Sequence, residues 1–502
     1  MARKGSLKVR TGCLTCKIRK VKCDEGKPHC QRCVTTGRKC DGYLQTTTSS
    51  VTAWHRPRHL FPGVDNVDER RALQFFSQAA GPSLSGPMDP YFWTHLVMQF
   101  SNFEPAVRHA VVAISSLYEH MQTRSKYQQL VDNRFALSHY NSAIRELKTM
   151  NNEPLVLLVC ILFICIEFLQ DNRNGAIQHC KHGVYILKNA EAAFPWTKEY
   201  LSPIFRRLTI FPFFFALDET GFPKFINLED RVPDSFASFD EAIYCIDGIL
   251  LRTIRLVRSG DSYRLGNLRR CPVAPDLLVE QEETRVLLEN WNNRFSYLQS
   301  RSSTPAMSEE TLCNITLRYG VARIWVETTF EYDETVYDRY LDRFRYMVGT
   351  AAKLHSSKAL RRGSLQGSPK FIFEMGFIPL LYYIVMKCRC LDTRLEALSL
   401  MKKLGAAKEN LWEVSTMHAV ARRMIEIEHD FLLDVNDKPL TTPVWPGLPP
   451  DEMRIRDSTT EPALSVHVDA QCQKVRERMA GFYRRTAEGD IYLQTDVVTE
   501  VM

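Results

Sequence analysis

The sequence predicts two folded parts of different kinds, a small N-terminal module built around metal ligands and a large all-α domain. Six cysteines between positions 13 and 40 predict the first part, because they form two copies of the pattern C-x2-C-x6-C. Apolar residues that recur at steps of three and four predict the second part, since this spacing lines one face of a helix. The chain has 502 residues, of which 45% are hydrophobic, so it can bury a large core beyond the small module.

The spacing of the six cysteines is typical of metal ligands. Each C-x2-C pair can place two thiolates on one side of a tight turn, and a third cysteine returns after a short helix. Two tetrahedral zinc ions have eight ligand positions, which six thiolates fill only if two of them bridge. Cys13 and Cys30 each open one half of the pattern, so we predict that they are the bridges. We therefore expect two zinc ions per chain, held by Cys13, Cys16, Cys23, Cys30, Cys33 and Cys40.

A disulfide framework is the alternative use of six closely spaced cysteines. We recognise no signal peptide, and the cysteine segment is densely basic, so the sequence favours metal binding. The other nine cysteines are scattered, several of them in apolar runs, as expected of buried thiols in a reducing compartment.

Charge is distributed unevenly along the chain. Residues 1–59 contain fourteen Lys or Arg and three Asp or Glu, a net charge of +11, whereas the whole chain has a net charge of only +7. The remaining residues are therefore mildly acidic, with a net charge of −4. A basic arm on an acidic body predicts that the arm, rather than the whole surface, meets a polyanion.

Residues 11–43 resemble the DNA-binding domain of the fungal binuclear zinc cluster transcription factors. The resemblance rests on the six cysteines, the basic run between Cys16 and Cys23, Asp24 after it, and Pro28 in the connecting loop. It implies two pseudo-symmetric metal-bound helices, the first of which enters the major groove of double-stranded DNA. It further implies a nuclear, sequence-specific regulator of RNA polymerase II genes that works with the transcription machinery or with co-regulators.

The first half of the module is the more basic half, which predicts that its helix reads DNA. The second half has only Arg38 and Lys39 between its last two cysteines. By its position in the family motif, Lys20 corresponds to the residue that reads guanines of a CGG triplet, whose O6 and N7 atoms accept hydrogen bonds. The alternative is that the cations of the first half contact only phosphates or serve as a nuclear import signal. The candidate DNA contacts in this half are Lys17, Arg19, Lys20 and Lys22.

Basic residues ahead of the first cysteine form a second set of candidate DNA contacts. Lys8 and Arg10, with Arg3 and Lys4, are expected to form a flexible arm. Such an arm adds affinity that depends on salt and not on base sequence.

Residues 44–64 are predicted to be a flexible linker, since Thr and Ser dominate and Pro57 interrupts them. Many members of the resembled family carry a dimerising coiled coil here, but residues 44–60 contain no apolar heptad. Any homodimer must then be held by the helical body, and the linker would not set the spacing between two triplets.

Residues 65–440 are predicted to form the all-α domain, and they resemble the fungal-specific transcription factor domain of one branch of the family. The resemblance rests on residues 104–120, 139–148, 155–170 and 376–389. Residues 155–169 are the most apolar run, but they are shorter than a bilayer requires and include Glu167, so we expect a core helix and no membrane partner. Residues 371–386 are expected to form a second core helix, kinked at Pro379.

Residues 441–502 are predicted to be a C-terminal tail that is partly disordered. Two segments, 425–437 and 488–502, mix acids with bulky apolar residues as amphipathic activation peptides do. For the first we favour the end of an amphipathic helix, and the second is left open.

No motif for catalysis stands out, so the sequence predicts that the protein is not an enzyme. It lacks H-E-x-x-H, P-loop, G-x-S-x-G and G-x-G-x-x-G patterns. His179 and His182 flank Cys180 on a probable helix, where satisfied interior groups are commoner than metal ligands. Two alternatives to direct DNA readout stay open: a co-regulator whose zinc cluster docks proteins, and a ligand-sensing helical body that controls the DNA-binding arm.

Overall fold

The computed structural model describes residues 11–43, 64, 66–88, 90–123, 133–216, 218–223, 231–301, 307–361, 369–468 and 474–501. The chain divides into two compact units, Met1–Pro62 and Gly63–Met502. The predicted linker at 44–64 lies almost wholly outside the described residues, as do Lys8 and Arg10.

Residues 11–43 of the first unit contain two short helices, α1 (Leu14–Ile18) and α2 (Gln31–Val34), each preceded by the cysteine that opens its half of the pattern. The sulfurs of Cys13 and Cys30 accept hydrogen bonds from the backbone N–H groups of Cys16 and Cys33, both at 3.3 Å. Each sulfur thus caps its helix in the manner of an N-cap oxygen. The predicted small cysteine-centred module with two short helices is confirmed.

The second unit is mostly helical, as predicted. Its α-helices, joined in places by short π and 3-10 turns, are α3 (Val67–Phe75), α4 (Gly81–Leu84), α5 (Val97–Ser101), α6 (Pro105–Thr123), α7 (Arg134–Leu147), α8 (Glu153–Leu169), α9 (Arg173–Ala193), α10 (Ser202–Leu208), α11 (Pro212–Phe215), α12 (Phe239–Arg264), α13 (Pro275–Ser300), α14 (Glu309–Glu327), α15 (Leu341–Arg361), α16 (Ile378–Lys387), α17 (Leu391–Leu404) and α18 (Val414–His429).

The most apolar helix, α8, lies in the middle of the fold, as the sequence predicts. Asn152 caps it by accepting the N–H of Leu155 at 3.3 Å, and nearly every residue from Pro154 to Leu169 is buried. A helix that is apolar on all sides packs against neighbours on all sides. Among the described residues, no helix is both long and apolar enough to cross a membrane.

The prediction of one kinked helix over residues 371–386 is wrong. Phe371–Ile372 form a short strand, β1, and the helix α16 begins only at Ile378. Pro379 lies in the first turn of α16, where a missing N–H costs no hydrogen bond, so it starts the helix instead of kinking it. The Glu409 carboxylate accepts the N–H groups of Gly376 and Ile378 at 3.0 and 2.9 Å, which anchors this helix start.

Two three-stranded sheets complete the second unit. In the first sheet, β1 pairs in parallel with β2 (Lys408–Glu409), which pairs antiparallel with β3 (Trp412–Glu413). The second sheet is an antiparallel meander of β4 (Asp457–Val468), β5 (Lys474–Arg485) and β6 (Ile491–Val501).

The second sheet corrects the prediction that 441–502 are a partly disordered tail. Ala480, Phe482 and Val498 are buried in the same core as helices α16 and α18. Glu500, which suggested an acidic peptide, is 1% exposed and pairs with Arg476 and Arg478 on β5, at 2.5 and 2.9 Å. The acids of this segment therefore neutralise neighbouring arginines, so the domain continues past residue 440. Residues 425–429, the start of the other acid-rich segment, end helix α18.

Candidate metal centre and DNA-binding surface

The six cysteine sulfurs of the first unit form two overlapping groups of four. One group is Cys13, Cys16, Cys23 and Cys30, and the other is Cys13, Cys30, Cys33 and Cys40, with the sulfurs of each group within 4.8 Å of one another. Only Cys13 and Cys30 belong to both groups, as the predicted bridging arrangement requires.

Sulfur–sulfur distances test whether this arrangement fits zinc. The Cys13 and Cys30 sulfurs are 3.6 Å apart, those of Cys16 and Cys30 are 3.7 Å apart, and those of Cys13 and Cys33 are 3.9 Å apart. Four thiolates placed about 2.3 Å from a tetrahedral zinc are separated by about 3.8 Å. These spacings match those between thiolates of one tetrahedral zinc, and Cys13 and Cys30 form the edge that two such tetrahedra would share. The Cys16 and Cys33 sulfurs, which belong to different groups, also lie 3.8 Å apart, closer than two separate tetrahedra place them.

The protonation state of the shared edge is coupled to metal binding. Burial raises the pKa of Cys13 to about 12 and also raises the pKa of Cys30. Burial would also raise the pKa of the Cys23 thiol, but hydrogen bonds from the backbone N–H groups of Cys13 and Glu25 outweigh it and lower this pKa to about 7. Thiols such as Cys13 stay protonated at neutral pH unless a metal ion displaces the proton, so metal binding and thiolate formation are coupled here.

Two aspartates that follow the third cysteine of each half stabilise the module, a role that the sequence reasoning missed. The Asp24 carboxylate accepts the N–H groups of Gln31 and Arg32 at 2.8 and 3.1 Å, and these bonds, the one from Arg32 foremost, lower the pKa of Asp24. In the other half, Asp41 contacts the equivalent position, Thr15, but accepts its side-chain hydroxyl at 2.8 Å instead of a backbone N–H. An Asp at the same offset in both halves was the signal that could have revealed this.

The sequence predicts that the helix of the first half carries the DNA-reading cations. The structure corrects this, because the four cations lie close together in the chain but only Lys17 lies within α1. Lys17 is exposed within α1, which ends at Ile18, and Arg19 follows with its Nη1 3.4 Å from the Thr36 hydroxyl. Lys20 is exposed in the left-handed region, with φ of +56°, and Lys22 is exposed two residues beyond it. The helix stops because the chain must turn to bring Cys23 back to the metal site.

The two histidines of α9 differ in environment, and only His179 makes interior contacts. The His179 Nε2 lies 3.2 Å from the Tyr140 hydroxyl and 3.7 Å from the Glu167 carboxylate, while Cys180 is buried and His182 is exposed. Among the described residues, groups of three or more potential metal ligands occur only in the cysteine cluster.

Residues 11–50 match the family model of the fungal Zn(2)-Cys(6) binuclear cluster domain, which confirms the resemblance drawn from the sequence. This domain binds two zinc ions, in agreement with the sulfur geometry.

Relatives of the chain are named as fungal transcription regulators. The aspercryptin biosynthesis cluster-specific transcription regulator of Emericella nidulans is 35% identical over 217 residues, and the transcription regulator lscL of Purpureocillium lilacinum is 30% identical over 210 residues. Each match covers 36% of this chain, which is more than the zinc module alone, and the matches cover 34% and 49% of the relatives. The chain thus spans about a third to a half of the length of these curated relatives.

The transcriptional regulatory protein moc3 of Schizosaccharomyces pombe is 56% identical over 36 residues, 7% of each chain. None of the three names describes an enzyme, in agreement with the prediction from the sequence. No solved structure matches the chain.

Proposed function

We propose that this chain is a nuclear, sequence-specific DNA-binding transcription regulator of RNA polymerase II genes. The observation that carries the proposal is the cysteine cluster, whose geometry fits two zinc ions and whose sequence matches a domain of fungal transcription regulators. Four of the candidate DNA-binding cations lie in the chain between the predicted metal ligands Cys16 and Cys23. The cluster therefore constrains their positions relative to one another. The regulatory function would then act through the transcription machinery or co-regulators.

Within the DNA-binding surface, we assign base reading to Lys20 and phosphate contacts to its neighbours. Lys20 is exposed at the sharp turn after α1, where its ammonium group can reach guanine O6 and N7 in a CGG-type triplet. Lys17, Arg19 and Lys22 flank it and would neutralise phosphates, as would Lys8 and Arg10.

Selection of preferred sites from random DNA, followed by substitution in the full-length protein, tests this assignment. Lys20→Ala should weaken binding to the selected site by about 1–3 kcal/mol and reduce discrimination at the guanines. Lys8→Ala is the matched control, because it should weaken binding to all sequences alike and reduce the salt slope by about one. Unchanged discrimination in Lys20→Ala would refute the base-reading role, and failure to select any sequence would refute the DNA-binding function.

Any homodimer is proposed to form through the helical body. The zinc module contacts only a few base pairs, so two copies held by one dimer would bind more tightly than one. Binding of the full-length protein to probes whose triplets are moved apart stepwise should show a broad tolerance of spacing. A sharp optimum at one spacing would contradict this proposal.

A further inference from the structure

A cavity of about 610 Å³ lies inside the second unit, where the helices meet the C-terminal sheet. Helices α12, α14, α16 and α18 form its walls on one side, and strands β4 and β5 form them on another. Small-molecule sites in proteins typically measure about 300–1,000 Å³, so the cavity has the size of a ligand site. It does not involve the zinc module, and its role would be separate from DNA binding.

One end of the cavity is lined by a continuous series of aromatic rings. The Trp412 ring centroid lies 4.9 Å from that of Phe215 and 5.5 Å from that of Phe214. Trp325 continues the series, at 6.2 Å from Phe214 and 5.0 Å from Tyr383. Phe214, Phe215, Trp325 and Trp412 are only partly buried, so ring surface remains open to the cavity. Such walls favour an aromatic ligand, because aromatic rings gain from packing edge to face or in offset stacks.

A second part of the lining, called the polar end below, contains buried hydrogen-bond donors without acceptors; it consists of Arg264, Tyr383, Lys387, Arg456 and Asp457. Tyr383 is 2% exposed, and its hydroxyl has no partner among the described residues, although the neighbouring Tyr382 hydroxyl lies 2.5 Å from that of Ser458. The Nε–H groups of Arg264 and Arg456, which also line the cavity, have no partner in the described part of the chain. Leaving a buried donor unpaired costs about 1–3 kcal/mol, so this end favours a ligand with an oxygen acceptor.

The charges at the polar end are already balanced, which argues against an anionic ligand. Three cations of this end each have a carboxylate partner: Arg264 with Asp261, Lys387 with Glu334, and Arg456 with Asp451. Asp457 lines the same end without an ion-pair partner among the described residues, and burial raises its pKa. An additional negative charge would therefore find no unpaired cation at the polar end. Arg173 lines the cavity beside the aromatic rings, where it has no carboxylate partner among the described residues and lies 5.4 Å from the Phe215 ring centroid.

We propose that this cavity binds an uncharged aromatic small molecule that carries a carbonyl or phenol oxygen. Its rings pack against Phe214 and Trp412, and its oxygen accepts a hydrogen bond from the Tyr383 hydroxyl. Because β4 and β5 form part of the wall, the bound ligand stabilises the C-terminal sheet against the helices.

Flavone is a suitable probe, because it is uncharged and aromatic and carries a carbonyl oxygen, and 2-phenylnaphthalene is the oxygen-free comparison. Titration of the full-length protein, followed by tryptophan fluorescence, should show saturable binding of one flavone per chain. Tyr383→Phe should weaken flavone binding about fivefold and leave 2-phenylnaphthalene binding unchanged, because only the hydrogen bond is removed. Tyr346→Phe is the matched control, since Tyr346 is 66% exposed on α15, and it should change neither affinity.

A second variant tests the location independently. Thr460→Trp adds bulk to the β4 wall of the cavity and should weaken both compounds at least tenfold. The proposal is overturned if wild-type protein shows no saturable flavone binding, or if flavone affinity is the same in wild-type, Tyr383→Phe and Thr460→Trp. Circular dichroism of each variant establishes that it is folded, and Tyr383→Phe decides the matter alone if Thr460→Trp does not fold.

Discussion

The two units of this chain are stabilised by opposite means. In the zinc module the most deeply buried residues are cysteines, the helices span one turn, and Ile18 and Val34 are 77% and 55% exposed. In the helical unit, long helices bury large apolar clusters, and a network of ion pairs lies among them. A module this small cannot bury enough apolar surface to fold by itself, so metal bonds must supply what a core supplies elsewhere.

The largest expected difference between the two units is their response to zinc removal. Treatment of the full-length protein with a strong chelator should release two zinc ions per chain and abolish specific DNA binding, since structural zinc contributes on the order of 10 kcal/mol or more. The helical circular dichroism should fall little, because α1 and α2 span only five and four residues. Metal analysis and anisotropy with labelled DNA measure both effects. One zinc per chain, or a large loss of helix, would contradict the prediction that only the zinc module depends on metal.

A buried carboxylate should be the corresponding weak point of the helical unit. Glu428 lies 2.6 Å from the Arg394 guanidinium and 3.3 Å from that of Arg389, and all three side chains are 0% exposed. Glu428→Ala should lower the free energy of unfolding by about 3–5 kcal/mol, because it leaves the buried Arg394 without its carboxylate partner, whereas Arg389 keeps its ion pair with Glu334 at 3.0 Å. Urea unfolding followed by tryptophan fluorescence reports mainly on this unit, since it contains six of the seven tryptophans, Trp54 being the exception.

An exposed ion pair provides the control for this prediction. Glu282 contacts Arg285 at 2.6 Å, but its side chain is 60% exposed. Glu282→Ala should change the free energy of unfolding far less than Glu428→Ala does, since exposed pairs contribute little. Equal effects of the two substitutions would mean that burial does not increase the contribution of the Glu428 ion pairs to the free energy of unfolding.

Mild acid should weaken the helical unit through His429. Burial, and then the nearby charge of Arg394, lower the pKa of His429 to about 4, below its ordinary value of 6.5. Between these values the unfolded chain binds a proton that the folded chain does not, so stability is complete above pH 6.5 and is lost as the pH falls toward 4. This loss should reach at most about 3 kcal/mol.

Substitution of His429 isolates its contribution to the acid sensitivity. His429→Gln should flatten the dependence of the urea midpoint on pH between 6.5 and 4, whereas His182→Gln should leave it unchanged because His182 is exposed. The same slope in the wild type and in His429→Gln would assign the acid sensitivity to other groups.

The smallest expected effect concerns a hydrogen-bonded cap in the zinc module. Asp24→Ala removes the acceptor for the N–H groups of Gln31 and Arg32, which destabilises the first turn of α2. Zinc should then be lost at a lower chelator concentration, while the urea midpoint of the helical unit stays the same. Lys27→Ala, at an exposed position nearby, should alter neither quantity. Unaltered zinc retention in Asp24→Ala would show that the cap does not support the metal site.

The sequence alone determined the metal centre, because all six ligands lie between Cys13 and Cys40 and their spacing encodes the local geometry. It also determined the central helix α8, whose fifteen-residue apolar run can only be buried. Local pattern did not determine the end of α1, since the chain turns there to complete a metal site that involves both halves.

Only the tertiary structure decided the rest of the helical unit. The acids of β6 suggest a solvated tail until Glu500 is seen to neutralise Arg476 and Arg478 across the sheet. Pro379 suggests a kink until the Glu409 carboxylate is seen at the helix start, thirty residues away in the chain. The walls of the cavity likewise come from Phe214, Tyr383 and Asp457, which no local spacing relates. A buried charge or a cavity depends on which distant segments meet, and packing of the whole chain settles that.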